Sequence, residues 1–99
     1  MSVPAYMPAA PVPASSHPAA RILCVDDDPQ MGRALHAMLH GMGYAPRIAD
    51  SAYTALEILR VEPVDVIITD QQMPGLSGLD LLRMVRDEGR DTPVIVLTA

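Results

Sequence analysis

Two stretches decide the fold: Ile22-Leu23-Cys24-Val25-Asp26-Asp27-Asp28-Pro29 and Val64-Asp65-Val66-Ile67-Ile68-Thr69-Asp70. Each is a short aliphatic run, rich in β-formers, that ends in aspartate. Largely consecutive apolar positions read as strands buried on both faces, the pattern of a parallel sheet. Working outward, Asp28-Pro29 supplies a helix N-cap and a proline at the first helical position. Met31, Ala34, Leu35, Met38, Leu39 and Met42 follow at spacings of three and four. They form one helical stripe that reads as core, ended by Gly41 and Gly43. Tyr44 to Ile48 reads as another strand, with Pro46 pointing to a sheet edge. Asp50 or Ser51 caps a second helix with the stripe Ala52, Ala55, Leu56 and Leu59. After the strand over 64–69, Ser77 and Asp80 form a capping box for a helix through Leu79, Leu82 and Val85, stopped by Gly89. Pro93 opens a fourth strand, Val94-Ile95-Val96-Leu97. This alternation of strands and helices with short links predicts an α/β fold with a parallel sheet and right-handed crossovers.

The 99 residues carry a formal net charge of -5, and every basic residue other than histidine is arginine. That balance argues against a general nucleic-acid binder, which needs basic surface to displace counterions, and against electrostatic membrane binding. No apolar run approaches the roughly 18 residues of a membrane span. The one cysteine, Cys24, excludes an internal disulfide and reads as a small buried residue, so a reducing, cytoplasmic setting is the default. With 49% hydrophobic residues but no Trp or Phe, the core has to be aliphatic. Residues 1–20 differ from the rest: Pro4, Pro8, Pro11, Pro13 and Pro18 interrupt an uncharged Ala/Ser background. They read as a disordered Pro/Ala-rich tail, leaving 21–99 as the domain.

In open parallel sheets, chemistry sits beyond the carboxyl ends of the strands. Asp26, Asp27 and Asp28 follow the first strand there, Asp70 follows the third, and Thr98 and Ala99 follow the fourth. If the first and third strands are adjacent, Asp26, Asp27 and Asp70 converge at one sheet edge. Three carboxylates in one place repel, and a hard divalent cation such as Mg²⁺ relieves the repulsion. A carboxylate oxygen left free beside that cation can attack an activated phosphorus. The spacing therefore predicts an aspartyl-phosphate site.

The chain resembles the receiver domain of two-component response regulators. The residues that carry the resemblance are 22–29 as quoted, Val66-Ile67-Ile68-Thr69-Asp70-Gln71-Gln72-Met73-Pro74-Gly75-Leu76-Ser77-Gly78, and Pro93-Val94-Ile95-Val96-Leu97-Thr98-Ala99. The resemblance implies a flavodoxin-like sheet of strand order 2-1-3-4. It implies Asp70 as phosphoacceptor, with Asp26, Asp27, Asp70 and the backbone carbonyl of Gln72 around Mg²⁺. Thr98 becomes the switch hydroxyl and Ala99 the small residue that leaves access. Met73 and Pro74 shape the loop, and Gly78 supplies its turn. Asp28 is left as helix cap. The implied phosphate source is a sensor histidine kinase or phosphotransfer protein, and the domain is a phosphoacceptor in phosphorelay signalling, not a turnover enzyme.

The resemblance also implies a fifth strand, two more helices and a lysine that residues 21–99 do not contain. The expectation is a receiver truncated after its fourth strand. Val94–Leu97 is then an unprotected edge strand, and one sheet face has a single helix over it. Self-association through that strand, exchange of elements between copies, or poor stability follows. Two other readings stand beside this one. A non-phosphorylated interaction module, or a non-functional fragment of a longer regulator, keeps the fold without depending on Asp70. A haloacid-dehalogenase-type phosphohydrolase also uses Asp-x-Asp after a strand, but Gln30 stands where its Thr or Val is expected. His36 and His40 share a helix face at metal-ligand spacing, with no carboxylate or cysteine to complete a site, and read as solvated.

Overall fold

The computed structural model describes residues 19–98. The tail reading for 1–18 and the access role of Ala99 fall outside these residues. The elements are β1 (Arg21–Val25), α1 (Pro29–Gly41), β2 (Ala45–Ala49), α2 (Ala52–Val61), β3 (Val66–Asp70), α3 (Gly78–Asp87) and β4 (Val94–Leu97). The four strands form one sheet of order β2-β1-β3-β4, parallel throughout. Leu23 lies opposite Arg47 on one side and Ile67 on the other, and Ile68 lies opposite Cys24 and Ile95. Pro46 is on β2, the outermost strand, where a missing N–H removes no ladder bond on the open side.

The helix boundaries follow from their caps. Asp28 is the N-cap of α1, and its side chain accepts from the Gln30 N–H at 2.9 Å. Of the two candidates before α2, Ser51 is the cap and accepts from the Thr54 N–H at 3.1 Å. Asp50 supports it from one residue back by accepting the Thr54 hydroxyl at 3.0 Å. Ser77 and Asp80 form a reciprocal capping box at the start of α3, at 3.1 and 2.9 Å. At the other end of α3, the Arg86 guanidinium donates to the Arg90 and Thr92 carbonyls. β2 and β3 are displaced by one or two residues from the hydrophobic runs, because pairing with β1 and not hydropathy fixes where a ladder starts.

Side chains of β1 alternate between two unequal cores. Leu23 and Val25 join Ile67, Ala55, Leu56, Leu59, Leu81 and Val85 under α2 and α3. Ile22 and Cys24 point to the other face, where Leu39 of α1 is the one further buried apolar side chain among the described residues. The α1 stripe expected as core is therefore corrected: Leu39 is buried and Leu35 half-buried, but Met31, Met38 and Met42 are exposed. One helix covers only part of a four-stranded face, so the flank of its apolar stripe has nothing to pack against. Cys24 is buried as expected, and burial pushes its thiol up from the ordinary cysteine value.

Candidate functional site

Parallel pairing of β1 and β3 places both carboxyl ends at the same edge, one strand spacing apart. Asp26 follows Val25 directly, and Asp70 closes β3. One carboxylate oxygen from each of Asp26, Asp27 and Asp70 lies within 4.8 Å of the others. Asp26 and Asp70 are half-buried, and Asp27 is exposed. At that separation two carboxylate charges repel by about 0.9 kcal/mol even at the dielectric of water, and by more at a protein surface. Two oxygens bound to one Mg²⁺ at about 2.1 Å sit roughly 3 to 4.2 Å apart, so a small contraction closes the trio on an ion. All three donors are hard oxygens, which suits Mg²⁺ and not a soft metal. Among the described residues this trio is the one cluster of three metal-capable side chains. His36 and His40 stack on each other at 5.9 Å, 7° from parallel.

Local hydrogen bonds hold these carboxylates. Asp26 Oδ1 accepts from the Asp28 N–H at 2.9 Å, which ties the acidic run to the α1 cap. Asp70 Oδ1 accepts from the Gln72 N–H at 3.3 Å. Thr98 lies at the end of β4 beside Asp70, because the Gln71 N–H donates to the Leu97 carbonyl at 3.0 Å. Thr98, Asp26, Asp70, Met31, Leu35 and Leu97 line one groove of about 250 Å³. On the other side of α1, a cleft of about 680 Å³ opens onto Asp26 and Asp27 and is also lined by Arg33, His36, Asp50 and Thr54.

The loop after Asp70 departs from one sequence expectation. Gly75, not Gly78, has the positive φ, 82°, and makes the turn. Gly78 is needed for a different reason. A Cβ there would stand 2.6 Å from the Asp70 carbonyl oxygen, so only hydrogen lets α3 start this close to the end of β3. Met73 is half-buried against the larger core, which anchors the loop, while Pro74 and Gln72 are exposed. Sequence reasoning missed Gln71 and Thr69. Gln71 Oε1 accepts the Leu79 N–H at 2.9 Å, and its backbone carbonyl accepts the Gly78 N–H at 3.2 Å. The Thr69 hydroxyl, buried, donates to the Asp70 carbonyl at 3.0 Å. Neither residue stands in a pattern that announces such a bond; the Gln71 bonds arise because α3 starts close to the end of β3, and the Thr69 bond is local to the strand end.

The response regulator receiver domain family matches over residues 22–99. The chain belongs to the response regulator receiver domain family. It is similar to the response regulator MprA of Mycobacterium leprae, with 39% identity over 79 residues, 80% of this chain and 35% of that protein. It thus spans about a third of the length of the curated relatives it matches. Among solved structures, a response regulator receiver protein from Pseudomonas putida aligns with a TM-score of 0.78 at 33% identity, covering 81% of this chain and 68% of that one. The response regulator protein TrrA from Thermotoga maritima, solved in complex with Mg²⁺-BeF, aligns with a TM-score of 0.75 at 36% identity, covering 81% and 70%. The receiver fold expected from the sequence, with strand order 2-1-3-4, is the fold observed. The family is that of two-component signalling. Among the described residues, no helix is long and apolar enough to cross a membrane.

Proposed function

We propose that this receiver domain takes a phosphoryl group onto Asp70 from a sensor histidine kinase or phosphotransfer protein, with Mg²⁺ held by Asp26, Asp27, Asp70 and the Gln72 backbone carbonyl. The observation that carries the reading is the acidic trio, with one oxygen from each residue gathered within 4.8 Å at the end of the β1–β3 pair. In the transfer, an Asp70 carboxylate oxygen attacks the phosphorus. The bond from phosphorus to the donor nitrogen breaks, and its electron pair stays on the donor imidazole. Mg²⁺ held by these residues would screen the charge that accumulates between two anions. Asp26 and Asp27 would hold the ion, and the half-burial of Asp70 limits access of water to the new acyl phosphate. The Thr98 hydroxyl, in the same groove as Asp70, turns to the phosphoryl oxygens, and Ala99 leaves the approach open. Met73 and Pro74 set the loop that carries the Gln72 carbonyl. The domain takes one group and holds it, as a cytoplasmic signalling domain and not a turnover enzyme. A homo-oligomer involving β4 is the second partner reading, supported by the open side of that strand.

The test is intact mass after incubation with Mg²⁺ and acetyl phosphate. One added phosphoryl group, absent in Asp70→Asn and in the presence of a chelator, is the expected result. No addition to a folded sample sinks the phosphoacceptor reading and leaves the non-phosphorylated interaction module.

A further inference from the structure

α1 carries two imidazoles, His36 and His40, and the proposed phosphoacceptor site uses neither. Four residues apart on one helix, they stand one above the other on the same side, with Cβ atoms about 5–6 Å apart. Both side chains are exposed, yet their rings are aligned: the centroids are 5.9 Å apart and the planes 7° from parallel. Neither ring takes part in an ion pair among the described residues. The side they share is turned toward β2. His36 lines the cleft of about 680 Å³ together with Gly32, Ile48 and Asp50, across α1 from the groove of Met31, Leu35 and Leu97.

We infer that His36 and His40 together hold a divalent transition ion of borderline softness, Zn²⁺ in the first instance, with water on its remaining positions. Imidazole nitrogen suits Zn²⁺, Ni²⁺ and Cu²⁺, whereas the oxygen trio at the sheet edge suits Mg²⁺, so the two places sort ions by donor type. The rings are close to the required geometry. Two nitrogens bound at about 2.1 Å to a tetrahedral Zn²⁺ stand roughly 3.3 Å apart, which puts the ring centroids roughly 5 Å apart. The observed 5.9 Å closes to that by side-chain rotation alone. The backbone beneath is fixed: α1 is capped by Asp28, and Leu39, next to His40, is buried against Ile22 and Cys24. A preset spacing makes the second Zn–N bond intramolecular, and that is what gives a two-imidazole site its strength. His40 lies in the last turn of α1, where the negative end of the helix dipole favours a cation. Arg33, the one fixed positive charge on α1, stands a turn before His36 and opposes the ion. It is exposed, so water and salt screen that repulsion.

Calorimetric titration of the full chain with Zn²⁺, with Mg²⁺ present in excess, tests this. The expected result is one Zn²⁺ per chain. His36→Gln and His40→Gln each weaken binding by about tenfold or more, because each leaves a single imidazole. Both positions are exposed and glutamine is a good helix former, so helix content by circular dichroism stays at the parent value. His17→Gln and Asp70→Asn leave the affinity within about twofold, since neither removes a member of the chelating pair. No uptake of Zn²⁺ overturns the inference. So does uptake that survives either His36→Gln or His40→Gln, or uptake lost in His17→Gln or Asp70→Asn, which would put the ion on other ligands. None of these outcomes depends on whether Asp70 accepts phosphate.

Discussion

Replacing Gly78 by alanine adds one methyl group where α3 starts against the end of β3. The added carbon would stand 2.6 Å from the Asp70 carbonyl oxygen and 3.2 Å from both the Asp70 carbonyl carbon and the Gln71 Cα. Close carbon–oxygen contacts settle at about 3.3 to 3.6 Å, so α3 and β3 must part by roughly 0.7 Å or more. All three neighbours are backbone, so no rotamer change relieves the clash. Overpacking of this kind typically costs about 1–3 kcal/mol. Against it stands the entropic gain of alanine over glycine, about 0.4–1 kcal/mol where the conformation suits both. The clash wins, and Gly78→Ala is expected to destabilise the domain by about 1–2 kcal/mol in urea denaturation. The same displacement stretches the bonds from Gly78 and Leu79 to Gln71 and tilts the peptide that carries Asp70. Mg²⁺ affinity is therefore expected to fall along with stability. Gly41→Ala is the control: it is the last residue of α1, its φ is not positive, and nothing lies within 4 Å of a Cβ there. It is expected to be neutral or stabilising. If Gly78→Ala gains stability as Gly41→Ala does, the close approach of α3 to Asp70 is not what that glycine is for.

Two further outcomes follow from the caps and the core. Ser77→Ala removes one half of the α3 capping box and is expected to lower stability by about 1 kcal/mol, read in the same urea titration. The Ser77 backbone N–H and hydroxyl hold the Asp80 carboxyl below its ordinary value near 3.8, so its contribution is fully present above that pH and is lost as pH falls through the lowered value. The stability difference between the parent and Asp80→Asn is accordingly expected to shrink in that acidic window and to stay constant from pH 5 to 7; a gap that widens on acidification refutes the assignment. Cys24, buried and with its thiol pushed up, is expected to resist alkylation by iodoacetamide at pH 7.5 until urea unfolds the chain, and rapid native labelling would place it elsewhere.

What the sequence made legible depended on how local the cause was. The caps at Asp28 and Ser77 are contests within four residues, so residue type alone decided them. The strand order was legible through the resemblance to the receiver family, and once β1 stands beside β3 the aspartates that follow each strand must converge at one sheet edge. Gly78 was read wrongly, as a turn residue, because a glycine needed for close approach and one needed for positive φ look alike in sequence. Only the 2.6 Å gap to another element tells them apart. The methionine stripe failed for the opposite reason. Periodicity reports which side of a helix is apolar, and it does not report how wide the surface beneath that helix is. The sheet is four strands wide and α1 spans two of them, so Met31, Met38 and Met42 overhang.

That overhang bears on the site itself. Thr98 stands beside Asp70 only because β4 is paired to β3, and the last bond of that pairing runs from the Gln71 N–H to the Leu97 carbonyl. Leu97 is also one of the half-exposed residues of the open face, and the groove under it is the one that holds Asp26, Asp70 and Thr98. An edge strand of four residues, with apolar side chains in water, is held by few contacts and opens locally more readily than β1 or β3 at the centre. Packing over Leu97 therefore bears on where the Thr98 hydroxyl sits relative to Asp70. Charge at Asp70 and packing over Leu97 both bear on the carboxyl end of this short strand, because Asp70 pairs with Leu97. The acidic trio, by contrast, is carried by the central β1–β3 pair and by the α1 cap, and those hold without any help from the open face. The proposed metal ligands thus lie on the central strand pair, and the proposed switch hydroxyl lies at the end of an edge strand.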